Sequence, residues 1–95
     1  MIKFEVIMFY VYLIQSEKDN SFYIGQTEDV EKRLAKHNSG KVITTKNRVP
    51  WKLLGHEEYP DRNMARFREY RLKRSFSEKK KFISKFCLHS SMDRA

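Results

Sequence analysis

A chain of 95 residues has room for one domain and one small core, because a second domain would leave both parts near the size at which a core is hard to build. Hydrophobic residues at 40% and aromatics at 14% can fill that core, and 34% charged residues can cover the large surface of so small a body. Twenty Lys and Arg against twelve Asp and Glu give a formal charge of +8, so a polyanion is the first partner to consider; the single cysteine, Cys87, excludes an internal disulfide and cannot by itself form a zinc site.

The opening "MIKFEVIMFYVYLIQS" is apolar, but it contains Lys3 and Glu5, alternates like a strand and reaches polar residues before a 20-residue span is complete. It is predicted to be neither signal peptide nor membrane helix, and the cysteine usage fits a reducing, cytoplasmic setting. Met8 serves equally well as a start, so residues 1–7 read as an extension, 8–83 as the domain and 84–95 as a tail. From Phe9 to Gln15 a continuous run of β-formers predicts a strand buried on both faces. "SEKDNS" (16–21) supplies turn formers and "FYIG" a second strand, which together predict a hairpin. With Gln15 opposite Phe22, Ile14 faces Tyr23 and Tyr12 faces Gly25, placing both phenols on one side of the sheet; a register shifted by one separates them.

Thr27 or Asp29 can cap a helix starting near Val30, and Asn38 with Gly40 supplies its end. Val30 and Leu34 form its apolar stripe, with Arg33 and His37 beside it at i and i+4. "KVITTKNRVP" (41–50) has no helical period and reads as a basic surface loop. "WKLLGHEEY" supplies a third strand, and "DRNMARFREYRLKRSF" a helix over about 62–75, capped by Asp61 or Asn63. A last helix, capped by Ser77, should run through "EKKKFISKF", with "CLHSSMDRA" fraying. The order β-β-α-β-α-α predicts an α/β (α+β) fold: a small antiparallel sheet with helices packed on it.

Five residues depart from a purely structural pattern. Glu69 lies on the inward stripe marked by Ala65, Leu72 and Phe76, so its carboxylate needs a cation or a metal; a structural salt bridge with Arg62, Arg66 or Arg68 is the alternative. Tyr12 and Tyr23 share a face near Arg33 and His37, although strand tyrosines often only pack a ring and wet a hydroxyl. Arg33 alone is one more helix charge, and His37 near a helix end can simply favour the dipole. Tyr10, His56 and His89 are assigned structural or surface roles, since no zinc-ligand spacing joins the histidines to Cys87.

"YVY" at 10–12, "YIG" at 23–25, "DVEKRLAKH" and a later helix with an inward glutamate resemble the GIY-YIG nuclease family, in particular its small single-domain bacterial branch. "HNSGKVITTKNRVPWKL" strengthens the resemblance, which covers residues 8–83. It implies a three-stranded antiparallel sheet flanked by helices, with an active site at Tyr12, Tyr23, Arg33, His37 and Glu69, where Glu69 holds Mg²⁺ (or Mn²⁺). It further implies an endonuclease that hydrolyses DNA to a 5′ phosphate and a 3′ hydroxyl, in repair or recombination. Tyr10 stands where the family name has glycine, and no target-binding domain follows, so low sequence specificity is expected. Phosphate contacts are expected from Lys41, Lys46, Arg48, Lys79, Lys80 and Lys81, with targeting left to a partner protein if one exists. The competing readings are a non-catalytic nucleic-acid binding module of the same fold, and a basic protein-interaction domain.

Overall fold

The computed structural model describes residues 7–91; all of the expected extension except Ile7, and residues 92–95 of the tail, lie outside the described residues. Strands β1 (Phe9–Ser16), β2 (Phe22–Thr27) and β3 (Trp51–Tyr59) and helices α1 (Val30–Asn38), α2 (Arg62–Arg74) and α3 (Phe76–Ser91) follow in the order β1-β2-α1-β3-α2-α3, with a 3₁₀ turn at Lys46–Arg48. The three strands form one antiparallel sheet ordered β2-β1-β3, the mixed α/β architecture expected from the sequence.

The continuous apolar run of β1 has its explanation in this order. As the central strand it is covered on both faces: Val11 and Leu13 meet Ile24, Ala65, Leu72 and Phe82 on the α2 and α3 side, while Tyr12 and Ile14 meet Trp51, Tyr23 and Leu34 on the α1 side. Burying each such aliphatic side chain contributes roughly 1.5–3 kcal/mol, so two thin layers suffice for a domain of this size. Gly55 lets the Phe86 ring of α3 lie directly on β3, where a Cβ would overlap it.

The hairpin pairs Gln15 with Phe22, Ile14 with Tyr23 and Tyr12 with Gly25, the register read from the sequence. Its turn is tied by short side chains. Ser16 Oγ accepts from the Lys18 and Asp19 amides at 3.0 and 3.2 Å, and Asp19 Oδ1 accepts from the Ser21 amide and hydroxyl at 3.0 and 2.6 Å. Asn20 takes the left-handed conformation that the turn needs, with φ 64°.

Three expectations need correction. The segment 41–50 is not a plain surface loop, because Thr45 is fully buried and the segment is bonded to the fold at several points. Ser16 donates to Arg48 O at 2.6 Å, Trp51 Nε1 donates to Thr45 O at 3.1 Å, and Asn38 brackets Trp51, accepting from its amide at 2.6 Å and donating to its carbonyl at 2.9 Å. Second, α3 begins at Phe76 and is capped by Ser75, whose hydroxyl accepts from the Glu78 amide at 3.3 Å; Ser77 is already inside the helix, which extends to Ser91. Third, Phe76 does not share the inward stripe of Ala65 and Leu72. Ser75 is extended (φ −114°, ψ 115°), the helical repeat is interrupted, and Phe76 is left 81% exposed.

Candidate active site

Helix α1 starts at Asp29, whose carboxylate accepts from the Lys32 amide at 3.0 Å; Thr27 instead braces Asp29 by accepting from its amide at 3.2 Å. This start sets the phase of the helix so that Arg33 and His37, one turn apart, both point at the sheet. Tyr12 reaches them from the central strand. Its ring crosses Gly25 of the neighbouring strand, where any Cβ would overlap the phenol, so the glycine of "YIG" is the space in which the Tyr12 side chain lies.

The polar atoms form one directed chain. Thr45 Oγ1 donates to Val42 O at 3.4 Å, which leaves it to accept from His37 Nδ1 at 2.8 Å. With its proton on Nδ1, His37 offers Nε2 as an acceptor to the Tyr12 hydroxyl at 2.8 Å, and the Tyr12 oxygen accepts in turn from Arg33 Nε at 3.4 Å. Burial lowers His37 to about 4, with the Arg33 and Lys36 charges adding to it, so the imidazole is neutral. Burial likewise raises Tyr12 to about 12, against the opposing effect of Arg33. Both groups therefore hold the forms that the chain requires.

Tyr23 stands beside this chain from the edge strand, its ring 5.2 Å from that of His37 and 6.3 Å from that of Trp51, both edge-on. Among the described residues its hydroxyl makes no hydrogen bond, and the terminal guanidinium nitrogens of Arg33 make none either. Tyr12, Tyr23, Arg33 and His37 are thus brought together.

Glu69 arrives differently. Helix α2 packs on the face of the sheet opposite α1, and among the described residues Glu69 makes no hydrogen bond or ion pair with the other four, although its charge helps to raise Tyr12. Its carboxylate, 26% exposed, pairs with Lys73 Nζ at 3.0 Å, and that same ammonium stands 5.0 Å from the centre of the Tyr23 ring at the β2 edge. Glu69 is therefore linked to the cluster through Lys73. None of the expected arginine partners holds it: Arg62 pairs with Glu28, and Arg68 is bound by Glu57 and Glu78. Lys73 was missed in the sequence, although the Glu-to-Lys spacing of four on a helix was the available signal. Thr45 and Asn38 were missed as well, and in a loop nothing in the pattern of residue types marks a buried threonine.

Of the basic residues expected to meet phosphate, Lys41, Lys46, Lys79, Lys80 and Lys81 are exposed. Arg48 is largely committed to the fold, donating to Ser21 Oγ at 3.1 Å and Thr44 O at 2.9 Å and lying 5.3 Å from the Trp51 ring centre. Tyr10 packs edge-on against His56 at 5.1 Å, in keeping with the structural role assigned to both. His89 lies outside the described side chains. No group of three or more His, Cys, Asp or Glu among the described residues is arranged to hold a metal ion, and no described helix is long and apolar enough to cross a membrane.

Three antiparallel strands with helices on both faces, carrying a tyrosine pair, an arginine and a histidine on one face, define a class of protein. The GIY-YIG catalytic domain family matches residues 8–82, and the chain belongs to that family. Within it, the chain is similar to UPF0213 proteins: one of Staphylococcus haemolyticus is 44% identical over 73 residues, spanning 76% of this chain and 87% of that one. The UPF0213 protein YsiG of Lactococcus lactis is 40% identical over 74 residues, spanning 77% and 70%. Among solved structures, the solution NMR structure of a UPF0213 protein from Bacillus halodurans superposes with a TM-score of 0.52 at 35% identity, covering 82% of this chain and 84% of that one.

The buried imidazole has a measurable consequence. Below pH 6.5 an unfolded chain protonates its histidine, whereas folded His37 resists protonation down to about 4, so stability is full above that window and falls across it as pH drops, by on the order of 2–3 kcal/mol. Chemical denaturation from about pH 7 to about pH 5 should show this loss, and His37→Gln should flatten it. A variant with the wild-type slope would assign the pH dependence elsewhere.

Proposed function

We propose that this protein is a metal-dependent endonuclease that hydrolyses phosphodiester bonds of DNA with low sequence specificity, serving DNA repair or recombination. Membership of the GIY-YIG family supports a nuclease acting on nucleic acid. The single observation that carries the reading is the contrast between two phenols: Tyr12 is locked as a hydrogen-bond donor to neutral His37, while Tyr23, beside it, keeps its hydroxyl oxygen open.

Hydrolysis needs a water positioned and deprotonated, and the charge on the phosphoryl oxygens relieved. Tyr23 serves as the base in its phenolate form, its own proton having passed to solvent beforehand; it takes the water proton as the water oxygen attacks phosphorus and becomes the phenol. Tyr12, held protonated, does not compete as a base; it fixes Arg33 through Nε and is itself fixed by His37 and Thr45. Arg33 turns its uncommitted terminal nitrogens to the phosphoryl oxygens, a planar fork that lysine cannot reproduce. Glu69 would hold the metal. One partly exposed carboxylate, with water completing the coordination, suits a hard oxygen-seeking ion such as Mg²⁺ or Mn²⁺, and the absence of a clustered ligand set among the described residues disfavours zinc. When bound, the ion supplies charge relief at the phosphoryl group and at the leaving 3′ oxygen. The bond from phosphorus to the 3′ oxygen breaks and that oxygen takes a proton from solvent water, so the products are a 5′ phosphate and a 3′ hydroxyl.

Purified protein incubated with supercoiled plasmid tests this reading: nicked circles should accumulate with Mg²⁺ or Mn²⁺ and not with EDTA. Retarded plasmid without nicks in either condition would favour a binding module that keeps the fold without turnover. Since phosphate contacts from the exposed lysines dominate binding, and with about five of them, affinity should fall about 500-fold between about 50 and 200 mM salt. A salt-independent affinity would contradict the assignment of Lys41, Lys46 and Lys79 to Lys81 to the backbone.

A further inference from the structure

We propose that Lys73 is a positioning residue of the site: an internal cation that occupies the Glu69 carboxylate, holds it toward the Tyr23 edge, and gives way when a divalent ion binds there. The inference rests on the reading of Glu69 as the metal ligand. An ion pair at i and i+4 on an exposed helix is ordinary by itself. This one is set apart by its third member, because the same ammonium that lies 3.0 Å from Glu69 Oε2 stands 5.0 Å from the ring centre of Tyr23, on a different element and across the sheet edge. Lys73 thus touches both Glu69 and a member of the cluster of Tyr12, Tyr23, Arg33 and His37, and the Glu69 charge also acts on the Tyr12 phenol, helping to raise it.

An ammonium and a divalent cation cannot both sit on a single carboxylate at close range without strong repulsion. Two positive charges and one, about 5 Å apart in water, repel by enough to weaken ion binding about fivefold after screening by salt. Lys73 therefore keeps divalent-ion affinity low in the free protein. It is 43% exposed and can swing away from the helix without disturbing the core. Arriving nucleic acid brings phosphate oxygens that can take the ammonium, so ion binding at Glu69 becomes coupled to the presence of substrate.

The test is Mn²⁺ binding to the free protein, followed by calorimetry or by the Mn²⁺ electron paramagnetic resonance signal, in wild type, Lys73→Met, Lys73→Arg and Glu69→Gln, each checked for an unchanged melting curve. The expected result is binding about fivefold tighter in Lys73→Met, within about twofold of wild type in Lys73→Arg, and lost in Glu69→Gln. Glu69-dependent binding that Lys73→Met leaves unchanged or weakens would overturn the role of Lys73 alone. Binding that survives Glu69→Gln would overturn both that role and the assignment of Glu69 as the ligand.

Discussion

Tyr23→Phe is expected to slow plasmid nicking by about 10²- to 10⁴-fold, the range in which a positioned proton acceptor contributes, while leaving the melting temperature unchanged. The separation of the two effects follows from the geometry. Among the described residues the Tyr23 hydroxyl bonds to nothing, so its removal breaks no internal hydrogen bond, and the ring that packs against His37 and Trp51 is retained. Tyr12→Phe differs in kind, because it removes the centre of the Arg33, Tyr12 and His37 chain and strands a buried imidazole nitrogen. Initial nicking rates and thermal melts on the same preparations separate the two phenols. A Tyr23→Phe protein that nicks at the wild-type rate would remove Tyr23 as the base.

Gly25→Ala carries the second large effect, and it falls on stability and activity together. The added methyl would overlap the Tyr12 phenol, and since Gly25 and Tyr12 face each other across a paired register, neither backbone can step aside without breaking the ladder. The Tyr12 ring must move and lose its 2.8 Å bond to His37. Overpacking of this kind costs about 1–3 kcal/mol, and the lost hydrogen bond adds about 1 kcal/mol. Urea denaturation should show a lower midpoint at constant slope, and nicking should fall with it. An unchanged midpoint would mean that the strand tolerates the methyl, and that Gly25 serves the site in some other way.

Much of the site was legible because hairpins and helices obey simple spacing rules. The parity of the turn after Gln15 decided that Tyr12 and Tyr23 share a face, and the four-residue interval put Arg33 with His37. What stayed hidden was mostly in irregular backbone, where burial has no period. Thr45, which sets the tautomer of His37, sits in a stretch whose composition reads as solvent-facing, and Asn38 looked like a helix end when its work is to bracket Trp51. Phe76 failed for the opposite reason: the periodicity was real up to Leu72, but one extended residue, Ser75, interrupted it. Glu69 falls between these cases. Its partial burial followed from the stripe of Ala65 and Leu72 and its partner Lys73 lay at the i and i+4 spacing, whereas the reach of that ammonium to the Tyr23 ring depended on a side chain long enough to span two elements, a property that residue spacing does not encode.

The proposed site requires Glu69 to act with Tyr23 and Arg33 although α2, which carries it, packs on the opposite face of the sheet from α1. The most direct measurement is the nicking rate of Glu69→Gln at saturating Mg²⁺, alongside its DNA affinity and its melting temperature. The expected result is a loss of about a hundredfold or more in rate, with affinity and melting close to wild type. Nicking by Glu69→Gln at the wild-type rate would contradict the site described above.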